Sequence, residues 1–284
     1  MMSATALSQM RDIYLPQKAT VTEIYSMTET EKFFRFHLEE GEAFDYMPGQ
    51  FMEVSVPGFG EAPISISSSP TRVDKTTFEM VIRKAGNVTT ALHALVPGEP
   101  VGLRGPYGTH FPVEDAMKGK DVVFVCGGIG LVPVRSAIHY VLDNRDHYGE
   151  VTILSGTRSP EDRLFTEELY EWKTRSDITF LETVDKADAR WGGTVGVITT
   201  LLKRIQINPA QTVVVICGPP IMYKFVLLEL RKLNIDNSQI YVSLERHMRC
   251  AVGKCGHCQI NGLYACQKGA VFNYADIVDV KEAI

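Results

Sequence analysis

No stretch of this sequence approaches the eighteen or more apolar residues, roughly, that a membrane-spanning helix needs. Its opening, MMSATALSQMRDIYLPQKATV, lacks a basic stretch followed by an apolar one, so no secretory signal is expected. Excess positive charge is missing as well. The 29 Lys and Arg are outnumbered by 34 Asp and Glu, and the net charge of −5 argues against a nucleic-acid partner. Internal repeats and low-complexity tracts are absent. What remains is an ordinary soluble composition, 45% hydrophobic, in a chain of 284 residues, long enough for about two domains. These absences place the chain in a reducing cytoplasm, where clustered cysteines signal metal or redox chemistry more often than disulfides.

Cysteine is scarce but not scattered. Of six, four fall in CAVGKCGHCQINGLYAC, at Cys250, Cys255, Cys258 and Cys266. A structural zinc site usually arrives as two C-x2-C pairs on separate knuckles, and only one such pair is present. The C-x4-C-x2-C run with a later fourth cysteine is the plant-type [2Fe–2S] arrangement, with a shorter final gap. Gly253 and Gly256 allow the backbone to curl so that its N–H groups point at the sulfurs. Spacing alone favours iron–sulfur and leaves zinc open.

Upstream, FFRFHL (33–38), QFMEVSV (50–56), TFEMVIR (77–83) and PVGLRG (100–105) read as short strands of an antiparallel barrel or sandwich. From about residue 120 the rhythm changes. DVVFVCGG (121–128), EVTILSG (150–156), ITFLETV (178–184) and TVVVICG (212–218) alternate with helical patterns at 131–144, 161–173 and 220–233. The segment 195–205, VGVITTLLKRI, continues that alternation. Alternation of this kind implies a mostly parallel sheet with helices on both faces.

Two glycine-rich turns end strands of that sheet. Gly127, Gly128 and Gly130 lie in VCGGIGLVP, and Gly218 and Pro219 in ICGPPIMY. The carboxyl edge of such a sheet is where dinucleotides sit, with the pyrophosphate on helix N-terminal N–H groups. One such turn alone is as often a tight corner that binds nothing; two at one edge favour a site. In the first module, Thr89 and Thr90 read as caps of a short helix near 90–95. Cys126 and Cys217, taken singly, read as small buried hydrophobes.

The order of GEAPISISS, RKAGNVTT, RGPYG, CGGIG, ICGPPIMYK, LERHMRCAVGKCGHC and ACQKGAVFNYADI resembles the ferredoxin–NADP reductase superfamily from about 18 to 278. Within it, the chain is most similar to the iron–sulfur diaphorase subunits, such as the gamma subunits of sulfhydrogenases and cytoplasmic nickel–iron hydrogenases. The corresponding subunits of anaerobic sulfite reductase and of dihydroorotate dehydrogenase, the latter its electron-transfer subunit, are relatives of that group. The resemblance implies an antiparallel FAD-binding β-barrel at 18–115, a parallel-sheet NAD(P)-binding domain at 118–245 and a [2Fe–2S] segment at 246–284.

It also implies roles. Pro63, Ile64 and Ser65 fall at the flavin-ring motif, where many relatives have Arg-x-Tyr-Ser; here Ala62 and Ile64 replace the arginine and the aromatic. Arg83, just ahead of the phosphate loop at Gly86, Val88, Thr89 and Thr90, is expected to supply the missing positive charge. Tyr107 is a candidate aromatic neighbour of the flavin. Gly127, Gly128, Gly130 and Pro133 match the nucleotide phosphate loop. Gly218 and Pro219 match the second nucleotide motif, and Cys217, the catalytic-site candidate, would shape the hydride-transfer pocket by packing rather than as a nucleophile. Thr157 and Arg158 fall where the adenosine ribose is received. Arg158 either binds a 2′-phosphate or is a solvated loop arginine, so NAD(H) and NADP(H) both stay open. The four clustered cysteines become the iron ligands.

A nicotinamide gives up a hydride, an iron–sulfur cluster takes single electrons, and flavin chemistry joins the two. The function implied is electron transfer between NAD(P)H, FAD and a cluster, to or from a partner enzyme of the hydrogenase or sulfur-compound reductase type. With no segment left over for a terminal substrate, docking is expected around Cys250–Cys266. Alternatives are a stand-alone reductase of a soluble ferredoxin-like acceptor, a dihydroorotate dehydrogenase electron-transfer subunit, and a zinc-stapled nucleotide-sensing module without catalysis.

Overall fold

Runs of β-branched and aromatic residues build two sheets in succession. The computed structural model describes residues 13–39 and 43–284. The N-terminal stretch read for a targeting signal lies, through Asp12, outside the described residues. The first sheet holds β1 (Gln17–Ser26), β2 (Glu31–Leu38), β3 (Phe51–Val56), β4 (Gly60–Ser65), β5 (Thr77–Arg83) and β6 (Pro100–Tyr107), in the order β4-β3-β6-β1-β2-β5. Every pair is antiparallel. Just beyond β4 the chain returns to β5, where the N–H groups of Ser67 and Ser68 donate to the Glu79 carbonyl, so the sheet curls shut. Phe34, Phe36 and Phe78 fill the interior with no exposure. Each such ring contributes about 1.5–3 kcal/mol by leaving water.

β1 and β4 were not legible as separate strands, and the reason is local. β4 carries Gly60, Pro63 and a row of half-exposed residues, so it has no apolar run. The short helix α1 (Asn87–Ala94) also begins earlier than its threonines imply. Gly86 is the cap, and the Thr89 hydroxyl reaches back from inside the first turn to accept from the Ala85 and Gly86 N–H groups, 2.9 Å each.

The second sheet holds β7 (Asp121–Gly127), β8 (Val151–Thr157), β9 (Thr179–Val184), β10 (Thr194–Val195), β11 (Thr212–Cys217) and β12 (Ile240–Ser243), all parallel. β7 and β11 are buried along nearly their whole length, as their unbroken apolar runs require in a sheet covered on both faces. Helices α2 (Leu131–Asp143) and α3 (Thr166–Thr174) share one core, and α4 (Thr199–Leu202) and α5 (Pro220–Lys232) share the other. α3 starts at Thr166 rather than near Glu161, because Pro160–Asp162 form a 3-10 turn and Phe165 adopts φ 53°. The barrel joins the first of these cores through Phe33 and Val81.

The C-terminal residues are not a detached tail. After a hairpin, β13 (Gln259–Ile260) and β14 (Leu263–Tyr264), and one helical turn, α6 (Ala265–Lys268), the chain enters the nucleotide sheet. There β15 (Val271–Asn273) pairs antiparallel with β12, giving the order β10-β9-β8-β7-β11-β12-β15.

Candidate functional site

The two glycine turns meet at the carboxyl edge of the second sheet. β7 and β11 are neighbours, with Cys126 directly opposite Cys217, while β7 pairs on its other side with β8. This is the point where the strand order reverses, the usual ligand crevice of an open parallel sheet. A β-carbon at Gly130 would collide with the Cys217 carbonyl, so glycine is required for α2 to start this close to β11. Gly128 takes φ +55° with open space where a side chain would stand. Pro133 sits in the first turn of α2, where its missing N–H costs nothing. Gly127, Gly128, Gly130, Gly218 and Pro219 thus form one edge, and Thr157 ends the adjacent strand.

Cys217 lies beneath that edge, 3% exposed, with its thiol 3.9 Å from the Ser243 carbonyl. Burial, reinforced by the charge of Glu245, pushes the thiol up to about 12. It stays protonated at neutral pH and acts as packing. Arg158 is exposed, and its guanidinium has no partner among the described residues.

On the barrel, Pro63 and Ser65 are half-exposed on β4, and Ile64 and Val88 both lean on the barrel core. Gly86 is exposed, with nothing within 4 Å of the point where a β-carbon would stand. Arg83 is half-exposed; its Nε bonds Glu31 at 2.5 Å, and its two terminal nitrogens have no protein partner among the described residues. A strand edge, an open helix start and an arginine with donors to spare suit a flavin dinucleotide. Tyr107 is tied at its hydroxyl, which accepts from Arg104 at 3.0 Å and donates to the Ile13 carbonyl at 3.0 Å, and the Arg104 guanidinium lies 5.4 Å from its ring centre.

The four clustered thiols are all free of disulfides. The four gather in one region: Cys250 lies beside Cys255, and Cys266 lies beside Cys258 and within electrostatic reach of Cys250. Among the described residues, no three His, Cys, Asp or Glu groups close on a single ion-sized point. Backbone N–H groups turn toward the sulfurs: Lys254 and Cys255 donate to Cys250 at 3.3 and 3.4 Å, and Gly253 donates to Cys266 at 3.2 Å. Gly253 and Gly256 make that curl with φ of +72° and +79°. Burial opposes ionisation of Cys250, but the N–H groups of Val252, Cys255 and Lys254 outweigh it and bring the thiol to about 7. Cys266 is pushed up to about 12 by burial and by Cys258. Four gathered thiols, with backbone donors around them, suit an iron–sulfur cluster.

Cys255 and His257 are exposed at this surface, and the His257 ring lies 6.5 Å from His247. Phe272 is 4% exposed and packs in the core it shares with the nucleotide sheet.

The sequence reading missed Arg104, Glu61 and Glu53. Arg104 is 3% exposed and bonds Glu61 through Nε at 2.7 Å and the Cys250 carbonyl through Nη1 at 2.9 Å. Glu53 has no exposure and neither carboxylate oxygen is bonded; burial, then Glu61, lifts it to about 8. The one signal was a charge following Leu103 inside the strand PVGLRG.

A barrel with a flavin-shaped edge, a nucleotide crevice and a cysteine segment between them define an NAD(P)H-dependent flavin oxidoreductase of the ferredoxin–NADP reductase superfamily. Three family descriptions match in that order: "Oxidoreductase FAD-binding domain" over residues 18–111, "Oxidoreductase NAD-binding domain" over 124–227, and "Iron-sulfur cluster binding domain of dihydroorotate dehydrogenase B" over 245–278. Sulfhydrogenase 1 subunit gamma of Pyrococcus furiosus is 42% identical over 93% of both chains. Sulfhydrogenase 2 subunit gamma of the same organism is 36% identical over 95% of this chain and 99% of its own. A "Probable dihydroorotate dehydrogenase B (NAD(+)), electron transfer subunit" of Methanocaldococcus jannaschii is 34% identical over 81% of this chain and 80% of its own. The fold also matches a solved NADH-dependent reduced ferredoxin–NADP oxidoreductase, at TM-score 0.72 and 21% identity, over 95% and 94% of the two chains. The chain belongs to the family of electron-transfer subunits formed by the sulfhydrogenase gamma subunits and their dihydroorotate dehydrogenase B counterparts.

Proposed function

We propose that this chain carries electrons between a nicotinamide nucleotide and a partner enzyme of the hydrogenase or sulfur-compound reductase type, through bound FAD and a [2Fe–2S] cluster, in the cytoplasm. The observation that carries the reading is the four-cysteine segment itself, with backbone N–H groups turned onto the Cys250 and Cys266 sulfurs, joined to the flavin barrel through Arg104 and to the nucleotide sheet through β15. Bound flavin supplies the exchange between hydride and single electrons.

The chain's own residues do the rest. The α1 start at Gly86–Thr90 and the spare donors of Arg83 hold the flavin pyrophosphate, and Pro63, Ile64 and Ser65 edge its ring. Gly127–Gly130, Pro133, Gly218 and Pro219 receive the nucleotide pyrophosphate, with Cys217 closing the pocket from below. Thr157 and Arg158 receive the adenosine ribose. The segment 246–284 ligates the cluster, and its exposed Cys255 face meets the partner; 18–115 and 118–245 are the units on either side. No helix among the described residues is long and apolar enough to cross a membrane.

Anaerobic optical titration of the purified chain with NADH and with NADPH tests this. Flavin absorbance bleaches first and cluster absorbance follows, and the effective nucleotide tells whether Arg158 engages a 2′-phosphate. A colourless protein containing zinc and no iron would sink the reading. Arg83→Ala lowers the FAD content of the purified protein; undiminished occupancy removes Arg83 from the flavin site. Co-purification from native extract separates a fixed complex, with either hydrogenase-type or dihydroorotate-oxidising chains, from a free reductase.

A further inference from the structure

The cysteine segment meets the barrel at one buried charge. Arg104, on β6, spends its guanidinium on both sides of the seam. Nε bonds Glu61 at 2.7 Å and Nη2 bonds the other Glu61 oxygen; Nη1 bonds the Tyr107 hydroxyl at 3.0 Å and the Cys250 carbonyl at 2.9 Å; Nη2 also lies 3.5 Å from the Arg249 carbonyl. Cys250 is 146 residues further along the chain. The Arg104 guanidinium also lies 5.4 Å from the centre of the Tyr107 ring.

Strand register gives this contact a direction. Glu53 on β3 stands opposite Pro63 on β4 and, on its other side, opposite Arg104 on β6. Neighbouring strands lie roughly 4.8 Å apart, so the row Pro63–Glu53–Arg104 spans only about 10 Å. It runs from the flavin-ring motif to the side chain that grips the loop of the first cysteine.

We propose that Arg104 is the positioning residue that docks the cysteine loop onto the flavin barrel and so sets the electron path between the two centres. The inference rests on the flavin and cluster reading above. Carbonyls of an irregular loop at a buried seam need donors. A planar guanidinium can bond a carboxylate with one edge and carbonyls with the other, which neither a lysine ammonium nor an apolar side chain can do. Glu61 fixes the fork, and the fork fixes the loop. Arg104 touches no reacting atom; it acts through the backbone of Arg249 and Cys250.

The test is stopped-flow mixing of the holoprotein with the nucleotide that reduces it, reading flavin and cluster absorbance separately. In Arg104→Met the flavin phase keeps its wild-type rate. The cluster phase slows roughly tenfold or more, the scale of loss that small misplacements of reacting groups produce. Dithionite still reduces the full iron complement, seen by electron paramagnetic resonance. Amide hydrogen exchange across residues 249–255 rises in the same variant, and Arg104→Lys falls between it and wild type on both readouts. If the Met variant does not fold, the Lys variant and Tyr107→Phe carry the comparison. A cluster phase and amide exchange both unchanged would overturn the proposal, as would equal slowing of both optical phases, which marks a general defect. A wild-type cluster that no nucleotide reduces overturns the underlying reading instead, and the amide exchange then decides the docking role alone.

Discussion

Arg104 and Arg135 are both buried guanidiniums at seams between domains, but the two seams answer the charge differently. Arg135, on α2, is held between two carboxylates: Nη1 bonds Glu79 of the barrel at 2.8 Å, and Nε bonds Glu168 of α3 at 2.8 and 3.0 Å. It also donates to the Ser67 carbonyl at 3.2 Å and lies 4.5 Å from the Phe165 ring centre. Arg35 engages the other Glu79 oxygen at 2.8 Å, and His139 lies 3.0 Å from Glu168. Arg104 has one carboxylate, from the partly exposed Glu61, and gives its remaining donors to a tyrosine and two loop carbonyls. Beside it Glu53 is buried and unbonded. The barrel–sheet seam is a closed ion network that holds two domains in one relation. The barrel–cluster seam is a clasp that holds a loop in place.

The sharpest way to break this comparison is to remove each arginine. Arg135→Met takes the shared partner from two partly buried carboxylates, leaving Glu79 only Arg35 and Glu168 only His139, and costs about 3 kcal/mol in urea unfolding. A cost near zero would show that the network is not what joins the domains.

The two seams also respond to pH in opposite senses. Although burial opposes it, His139 and Arg135 hold Glu168 at about 2, below its ordinary 4.5. Its stabilisation is therefore present above pH 4.5 and lost as pH falls toward 2. Glu53, raised to about 8, binds its proton more tightly folded than unfolded. Its contribution is full below pH 4.5 and lost as pH rises through 8. Melting temperature against pH should thus show a shallower acid limb in Glu168→Gln and a shallower alkaline decline in Glu53→Gln; the same limb altered in both variants would erase the distinction.

The smallest effect on stability belongs to Arg104→Met, about 1–2 kcal/mol, because the partly exposed Glu61 can rehydrate and the freed loop can lift off the barrel until its carbonyls meet water. That modest cost beside a large loss of cluster reduction is what separates a clasp from a network. A cost equal to that of Arg135→Met would merge them.

Both arginines were invisible in the sequence for one physical reason. VVFVC and TVVVIC announce buried parallel strands because their own side chains carry the signal, and the glycines of CGGIG and ICGPP mark the turns that end them. An arginine among 29 basic residues says nothing of its burial, which depends on carboxylates and carbonyls brought from far along the chain. Cysteine spacing was legible because a cluster imposes it locally. The entry of Val271–Asn273 into the nucleotide sheet was not, since three residues of strand carry too little pattern to declare their partner. The seat of Tyr107 was likewise decided by Arg104 and Ile13, neither of which its own motif specifies.

The pairing of β15 with β12 has a consequence for the protein's manufacture. Until Val271–Asn273 leave the ribosome, β12 presents an open row of N–H and C=O groups, the kind of edge that recruits other unfinished chains. The strand that covers it lies just past the fourth cysteine, so closing the sheet and gathering the thiols depend on the same stretch of chain. A truncation ahead of Cys250 would leave a sticky sheet as well as an iron-free one, and aggregation during expression would accompany the loss of colour.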